Sequence, residues 1–309
     1  MEPLIKIGTR SSELALWQAN HVSQLLYAQG LACEIVPIET KGDKILSKTI
    51  AKIGGKGVFT QELEEQLLSG DVHLAVHSAK DVPSSVAEAF EILAFTERES
   101  PRDVVVSYNK DFRLDSERPW VVGTSSTRRV AMLKHYYPHV RTVNIRGNIQ
   151  TRMRKLDEGH CDALILAEAG VERMDYDAYI TQELDIDEFT PAVGQGALAV
   201  EISRNLDPEL RKIFFEATND ASTATCLYAE RAFLSRIEGG CAVPVFGYAC
   251  LDRGELYMRA GVISLNGKQI VRCERRGDPA EARAIGTALA EEVLRKGGKQ
   301  ILDRIKGRR

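Results

Sequence analysis

Two short turns of the sequence are rich in hydroxyl and guanidinium groups. Thr9-Arg10-Ser11-Ser12 follows the apolar strand predicted at Leu4–Gly8, and Thr124-Ser125-Ser126-Thr127-Arg128-Arg129 follows a second strand predicted at Trp120–Gly123. A helical pattern of apolar residues begins after each turn. Because the N–H groups and the dipole of a helix N terminus attract anions, each turn is predicted to bind an anionic group.

The arginines near these turns favour a carboxylated or phosphorylated ligand. A guanidinium group binds either anion through two N–H groups at once, and ligands of doubly wound sheets lie where the strands end. The alternative is that Ser12 and Ser126 are plain helix caps and that the arginines form a solvated face. The arginines concerned are Arg10, Arg128, Arg129, Arg146 and Arg152.

Two further residues could take part in chemistry. Asp81 follows Lys80 just after a predicted strand, where a carboxylate could stabilise a substrate cation. It could equally cap the turn before Val82-Pro83. Cys241 follows Gly239-Gly240, a turn that lets the backbone approach a ligand. A buried, inert thiol is the ordinary alternative for such a cysteine.

The composition excludes several classes of protein. The chain has 309 residues, of which 44% are hydrophobic and 28% charged, and no apolar run is long enough to span a membrane. Its six cysteines contain no C-x-x-C pair, so neither a metal site nor a disulfide framework is expected. Arg118–Leu156 is strongly basic, but a pI of about 6.1 for the chain argues against a nucleic-acid partner. Because Met1–Gly8 lacks the pattern of an export signal, we expect a cytoplasmic protein.

The elements that must position these residues repeat along the chain. In each half an apolar strand breaks into a Gly-Thr turn, a helix follows, and further strands alternate with helices. This pattern predicts parallel strands, among them Val72–Val76 and Val143–Ile145, in two similar α/β lobes. From Ala221 onward a helix, strands on both sides of Asp252-Arg253-Gly254, a strand at Ile270–Glu274 and a last helix predict a separate α+β module. Residues 40–57 have weak periodicity, which indicates a long mobile loop.

Taken together, the motifs resemble those of the porphobilinogen deaminase family over nearly the whole chain. The matching segments, in the family's order, are Gly8-Thr9-Arg10-Ser11-Ser12-Glu13-Leu14-Ala15, His77-Ser78-Ala79-Lys80-Asp81-Val82-Pro83, Gly123-Thr124-Ser125-Ser126-Thr127-Arg128-Arg129, Arg146-Gly147-Asn148-Ile149-Gln150-Thr151-Arg152, Pro191-Ala192-Val193-Gly194-Gln195-Gly196 and Glu238-Gly239-Gly240-Cys241. One departure is Phe246, where many relatives have glycine. It leaves Cys241 itself unchanged and concerns only the packing of that loop.

The resemblance implies an α/β fold with two periplasmic-binding-protein-like lobes, each built on a doubly wound sheet, a cleft between them, and a smaller C-terminal α+β domain. Lobe 1 would comprise residues 1–98 and 197–217 and carry the catalytic aspartate, with the chain returning to it near Ala197. Lobe 2 would comprise residues 102–192 and form the arginine-rich side. Residues 220–309 would form the domain that attaches the cofactor. A mobile loop at about 42–58 would supply a lid that includes Lys52, Lys56 and Phe59.

The same resemblance implies the chemistry. Four porphobilinogen molecules would be condensed, with loss of ammonia, on a dipyrromethane cofactor held by a thioether at Cys241, and the linear tetrapyrrole hydroxymethylbilane would be released for haem biosynthesis. Asp81 would be the catalytic residue, binding pyrrole nitrogens and stabilising the cation left when ammonia departs. The cofactor would contact Lys80, Asp81, Thr124, Ser126, Arg128, Arg129, Arg146, Gly147 and Gln195 besides Cys241, and the substrate would contact Arg10, Ser12, Arg146, Arg152, Arg173 and Gln195.

By that resemblance the enzyme would act as a monomer, without metal, nucleic acid or membrane, and would pass its product to the next enzyme of the pathway. The alternative is a two-lobed binding protein that closes on a carboxylated small molecule without reacting with it. The lack of an export signal and the placement of Asp81 and Cys241 argue against that alternative.

Overall fold

The structure is a computed structural model that describes residues 4–40, 60–237 and 243–307. The chain divides into two compact units, Met1–Glu99 with Ala197–Ala224 and Ser100–Gly196 with Thr225–Arg309. The chain therefore enters the second unit at Ser100 and returns to the first at Ala197. The second unit includes the C-terminal module, which the predicted bounds separate from residues 102–192. Those bounds stay a prediction.

The strands and helices alternate in each unit before the C-terminal module begins. The strands are β1 (Ile5–Arg10), β2 (Cys33–Ile38), β3 (Leu74–Ser78), β4 (Phe90–Phe95), β5 (Asp103–Val106), β6 (Val121–Gly123), β7 (Arg141–Val143), β8 (Ala163–Ala167), β9 (Ile180–Glu183), β10 (Leu198–Ser203), β11 (Val245–Asp252), β12 (Glu255–Ile263) and β13 (Ile270–Gly277). The helices are α1 (Glu13–Tyr27), α2 (Gln61–Ser69), α3 (Thr127–Tyr136), α4 (Ile149–Asp157), α5 (Glu168–Glu172), α6 (Pro208–Thr218), α7 (Ala221–Ile237), α8 (Ala282–Val293) and α9 (Lys299–Lys306).

The first unit is built on a five-stranded sheet in the order β2-β1-β3-β10-β4. Strands β1, β2 and β3 are parallel, and β10 runs antiparallel to β3 and β4. Alternate side chains of the buried strands point to opposite faces. Val76 therefore packs in the cluster that contains residues of α1 and α6, whereas its neighbour Ala75 packs with α2. Helices cover both faces, as predicted for a doubly wound sheet.

The second unit repeats this plan in a sheet of the order β7-β6-β8-β5-β9. Strands β6, β7 and β8 are parallel, and β5 runs antiparallel to β8 and β9. Val105 and Ile165 pack in the cluster that contains α3, while Val104 and Leu164 pack in the cluster that contains α4. The two sheets thus have the same strand plan, which confirms the predicted pair of similar α/β lobes.

The C-terminal module is an α+β structure. Strands β11, β12 and β13 form an antiparallel sheet of their own, and α8 packs against β12 and β13. Phe246 is fully buried beside residues of α3. A Cβ on Gly261, its partner on β12, would lie 2.6 Å from the Phe246 ring, so Gly261 makes the room that this ring occupies. No helix in the described ranges is both long and apolar enough to cross a membrane.

Candidate functional site

The first unit places four of the predicted site residues at one edge of its sheet. Strand β1 ends at Arg10, and the Ser12 side chain caps α1 by accepting a hydrogen bond from the backbone N–H of Ala15 at 3.3 Å. Strand β3 lies beside β1 in parallel. Its carboxyl end continues into a turn of 3₁₀ helix, Ala79–Asp81. Parallel strands end at the same edge, so the structure brings Arg10 and Ser12 to the edge that carries Lys80 and Asp81.

Asp81 is exposed, whereas strand β3, which leads into its turn, is firmly anchored. The Ser78 Oγ accepts a hydrogen bond from Gln18 Nε2 at 2.8 Å, and the backbone N–H of Ala79 donates to the Ala197 carbonyl at 2.9 Å. On the residue before Ser78, His77 Nε2 lies 2.9 Å from a buried Glu201 carboxylate. The exposed carboxylate therefore projects from a rigid support, which is what a preorganised electrostatic group requires.

In the second unit, β6 ends in the other hydroxyl-rich turn. Ser126 caps α3 by accepting a hydrogen bond from the Arg129 backbone N–H at 3.4 Å, and the buried Thr124 Oγ1 accepts one from the Ser126 N–H at 3.3 Å. Gly123 is needed because an added Cβ would lie 2.6 Å from Ile145 Cγ1. Both serines are thus helix caps, and both caps stand at the carboxyl end of a parallel strand. The serines that cap the helices are therefore the same serines that were predicted to lie in the anion-binding turns.

Arg128 and Arg129 are buried and do not form a solvated face. Arg128 Nη2 lies 2.7 Å from Asp103 Oδ2, and Arg129 Nη2 donates to Asp103 Oδ1 at 2.7 Å. Arg128 Nη1 also donates to the Thr190 carbonyl at 3.0 Å, and Arg129 Nη1 to the Ile165 carbonyl at 2.9 Å. These contacts hold the two guanidinium groups in place.

Asp103 is fully buried among these positive charges. Burial alone would raise its pKa, but the charges of Arg128 and Arg129 and the hydrogen bonds from Arg129 and Gln195 outweigh burial and hold the pKa well below its usual range. The folded-state pKa is therefore lower than the unfolded one. The carboxylate contributes stability above about pH 4, and this contribution is lost as the pH falls towards the folded-state pKa.

Gln195 is fixed against the start of β5. Its Nε2 donates to the Pro101 carbonyl at 2.7 Å, to the Arg102 carbonyl at 3.1 Å and to Asp103 Oδ1 at 2.9 Å. Its Oε1 lies 3.5 Å from Arg129 Nη2. The structure therefore joins three predicted site residues, Gln195 and the two arginines of α3, around one carboxylate.

The turn after β7 places further predicted residues at the same edge of this sheet. Gly147 has a φ of +119°, and Asn148 caps α4 by accepting a hydrogen bond from the Thr151 N–H at 2.9 Å. Arg152 Nε donates to the Gly147 carbonyl at 2.8 Å. Arg146, partly exposed, precedes this turn. Because β7 lies beside β6 in parallel, the turn stands next to the one that carries Ser126.

Arg173 comes from the residues that follow β8. Its buried side chain donates from Nη2 to the Gly196 carbonyl at 3.1 Å. This contact joins it to the Pro191–Gly196 segment that holds Gln195. Cys241 and the lid residues Lys52, Lys56 and Phe59 lie outside the described residues.

Two buried acids that bind the segment of Gln195 were not found from the sequence. Asp103 precedes the apolar run Val104–Val106, and an acidic residue at the head of a buried strand is the signal that could have indicated it. Glu230 on α7 is the other. Its carboxylate accepts hydrogen bonds from the backbone N–H groups of Gly194 at 2.7 Å and Ala249 at 2.8 Å, so it ties the segment of Gln195 to β11.

Fold and site together define a class of two-unit α/β proteins that present arginines and helix N termini at sheet edges, with an α+β module added. Two family models match this chain: the porphobilinogen deaminase dipyromethane cofactor-binding domain over residues 5–212 and the porphobilinogen deaminase C-terminal domain over residues 224–295. The chain belongs to the porphobilinogen deaminase family. It is a transferase of tetrapyrrole biosynthesis with a dipyrromethane cofactor, as the sequence analysis predicted.

Curated relatives agree with this membership over nearly the full length. The chain is 49% identical to the porphobilinogen deaminase of Desulfosudis oleivorans over 98% of each chain. It is 47% identical to that of Cytophaga hutchinsonii, over 99% of this chain and 98% of the relative. Among solved structures, it is similar to the periplasmic VFT2 domain of Bordetella pertussis BvgS, with 19% identity and a TM-score of 0.43, covering 70% of this chain and 87% of that one.

Proposed function

We propose that this chain condenses four porphobilinogen molecules into hydroxymethylbilane, with Asp81 as its catalytic residue. The observation that carries the proposal is the exposed Asp81 carboxylate at the sheet edge that also holds Arg10, Ser12 and Lys80. In each cycle the carbon–nitrogen bond of the porphobilinogen aminomethyl group breaks and ammonia leaves. The nitrogen leaves with the bonding electron pair, so the remaining fragment is a cation. The pyrrole carbon that bonds to this cation then loses its proton. A fixed carboxylate stabilises such a cation and accepts hydrogen bonds from pyrrole N–H groups.

The donor set of the second unit fits dipyrromethane, whose acetate and propionate groups are carboxylates. The two guanidinium groups beside Asp103 carry one positive charge more than that residue balances, and Arg146 stands at the end of the neighbouring strand. When bound through Cys241, dipyrromethane supplies the pyrrole carbon to which the first porphobilinogen is joined. The residues proposed to hold it are Lys80, Asp81, Thr124, Ser126, Arg128, Arg129, Arg146, Gly147 and Gln195.

The substrate carboxylates have a partly separate set of proposed partners. They are Arg10, Ser12, Arg146, Arg152, Arg173 and Gln195. Guanidinium groups suit this role because each offers two parallel N–H bonds to a carboxylate. Binding many carboxylates fixes the position of the reacting carbon. Such positioning supplies much of the rate enhancement of a reaction between two bound groups.

The finer organisation is part of the same proposal. Residues 1–98 with 197–217 would form the lobe of the catalytic aspartate, residues 102–192 the arginine-rich lobe, and residues 220–309 the domain that attaches the cofactor. We infer a cytoplasmic monomer that passes its product to the next enzyme of the pathway. These points rest on the resemblance of the motifs.

The attachment of the cofactor to Cys241 is tested by intact mass. A thioether survives reduction, so the purified protein should weigh more than its sequence by two linked pyrroles after treatment with excess thiol. Cys241→Ser should have the mass of its sequence, fold, and make little tetrapyrrole. Cys33→Ser is the matched control and should keep the added mass. An active wild-type protein without added mass, or an adduct on another cysteine, would contradict the proposal.

A further inference from the structure

Two adjacent guanidinium groups are buried in the first turn of α3. The side chain of Arg128 is 5% exposed and that of Arg129 is 8% exposed. Like charges at neighbouring positions repel each other, and burial removes most of the water that would screen them. Some other group must therefore hold these two side chains in a defined arrangement.

Asp103 is that group. In the described part of the chain it is the one carboxylate within ion-pair distance of either guanidinium. Its Oδ2 faces Arg128 at 2.7 Å, and its Oδ1 accepts from both Nε and Nη2 of Arg129, at 3.1 and 2.7 Å. One negative charge thus faces two positive charges. An ion pair that only stabilised the fold would need a single arginine beside Asp103. The second arginine leaves one positive charge that a ligand carboxylate could balance.

The same carboxylate orients Gln195. The Gln195 Nε2 donates to Asp103 Oδ1 at 2.9 Å and to two backbone carbonyls of residues 101 and 102. With its nitrogen directed to three acceptors, its oxygen is left on the side of Arg129. Asp103 therefore contacts each of three residues that the proposed function assigns to the ligand.

The position of Asp103 in the sheet makes it a rigid support. It is the first residue of β5 and pairs with Ala167, the last residue of β8. Since β5 runs antiparallel to β8, its beginning lies at the edge where β6 and β8 end. A side chain on a central strand is held more firmly than one on a loop.

We propose that Asp103 is a positioning residue for carboxylate binding, an inference that rests on the proposed function. It fixes the guanidinium groups of Arg128 and Arg129 and the amide of Gln195 in the orientation that binds acetate and propionate groups. It also balances one of the two positive charges, so that a single ligand carboxylate completes the neutralisation. Asp103 itself does not touch the ligand.

The test compares Asp103→Asn with Asp162→Asn in the full chain. Asp162 lies at the opposite edge of the same sheet, where its Oδ2 accepts a hydrogen bond from the Val121 N–H at 2.8 Å. The measurements are the melting temperature, the fraction of chains that carry the mass of two linked pyrroles, and KM and kcat of the loaded fraction. The control should lower the melting temperature alone.

For Asp103→Asn we expect the loaded fraction to fall, or KM for porphobilinogen to rise, by at least about tenfold, with a smaller change in kcat. The amide keeps the size of the side chain but cannot accept from both arginines. A variant that loads fully and keeps the wild-type KM overturns the inference, whatever its melting temperature. An unmodified and inactive wild-type protein would instead contradict the proposed function.

If Asp103→Asn does not fold, Arg129→Met and the double variant Arg129→Met/Asp103→Asn decide the question. The double variant has the same surplus of one positive charge as the wild type. If Asp103 positions Arg128 and Gln195, the double variant should load at least about tenfold more slowly than Arg129→Met. If Asp103 only balances charge, the double variant should load as fast or faster. Equal loading, including none in either variant, overturns the inference.

Discussion

Replacing Gly147 by alanine should disturb the turn between β7 and α4. The φ of +119° at Gly147 is a conformation that an L side chain rarely adopts. An added Cβ would lie 2.6 Å from Thr151 Cγ2 and 2.7 Å from Thr151 Cβ. The Thr151 Cβ is attached to the first turn of α4 and cannot rotate away. The turn itself must therefore move.

The structure supplies a matched control at the other end of the same helix. Gly159 has a φ of +75°, and nothing lies within 4 Å of a Cβ added there. Gly159→Ala should lower the free energy of unfolding by about 1–2 kcal/mol, the cost of the left-handed backbone alone. Gly147→Ala combines backbone strain with overpacking and should lower it by about 2–6 kcal/mol.

Two quantities are measured for both variants: the free energy of unfolding in urea and the KM for porphobilinogen. Arg152 Nε donates to the Gly147 carbonyl at 2.8 Å, and Lys155 Nζ donates to the Arg146 carbonyl at 3.0 Å, so a displaced turn also displaces both arginines. KM should rise for Gly147→Ala and stay near the wild-type value for Gly159→Ala. Equal unfolding free energies and equal KM values for the two variants would refute this reasoning.

Two further substitutions test other parts of the structure. Glu230→Gln should lower the free energy of unfolding by about 1–3 kcal/mol, because an amide cannot accept hydrogen bonds from both Gly194 and Ala249 and one buried N–H loses its partner. Urea unfolding measures this change, with the exposed Glu291→Gln as the control. Equal stability of the two variants would count against the prediction. Asp81→Asn should keep the wild-type melting temperature, since Asp81 is exposed. It should nevertheless slow ammonia release at least about 100-fold. A rate near that of the wild type would show that Asp81 is not catalytic.

The features that the sequence predicted well depend on short-range interactions. The Ser12 side chain accepts a hydrogen bond from the backbone N–H three residues ahead, in the helix that begins at Glu13, and Ser126 does the same in the second unit. Such caps depend only on residue type and on the start of an apolar helical pattern. The repeat of strand, turn and helix is local in the same way, so the two similar lobes could be predicted without knowing what they pack against.

Strand boundaries were less accurate because burial and strand pairing are different properties. The strand predicted at Val143–Ile145 lies at Arg141–Val143. Ile145 lies outside this strand but is still buried, with 5% of its surface exposed. Ile145 packs from outside the strand with Val104 and Leu164. Val72, predicted to begin a strand, is likewise buried two residues before β3 begins at Leu74. An apolar pattern reports burial and cannot tell whether the backbone also pairs.

Only the tertiary structure decided how the charged residues of the second unit are used. Asp103 meets Arg129 across 26 positions of sequence and Gln195 across 92, and Glu230 meets Gly194 across 36. No local spacing connects residues so far apart. In the sequence an isolated acid or arginine is most simply a surface group, because burying one charge alone is unfavourable. The fold makes burial possible by bringing opposite charges and backbone donors to the same sheet edge.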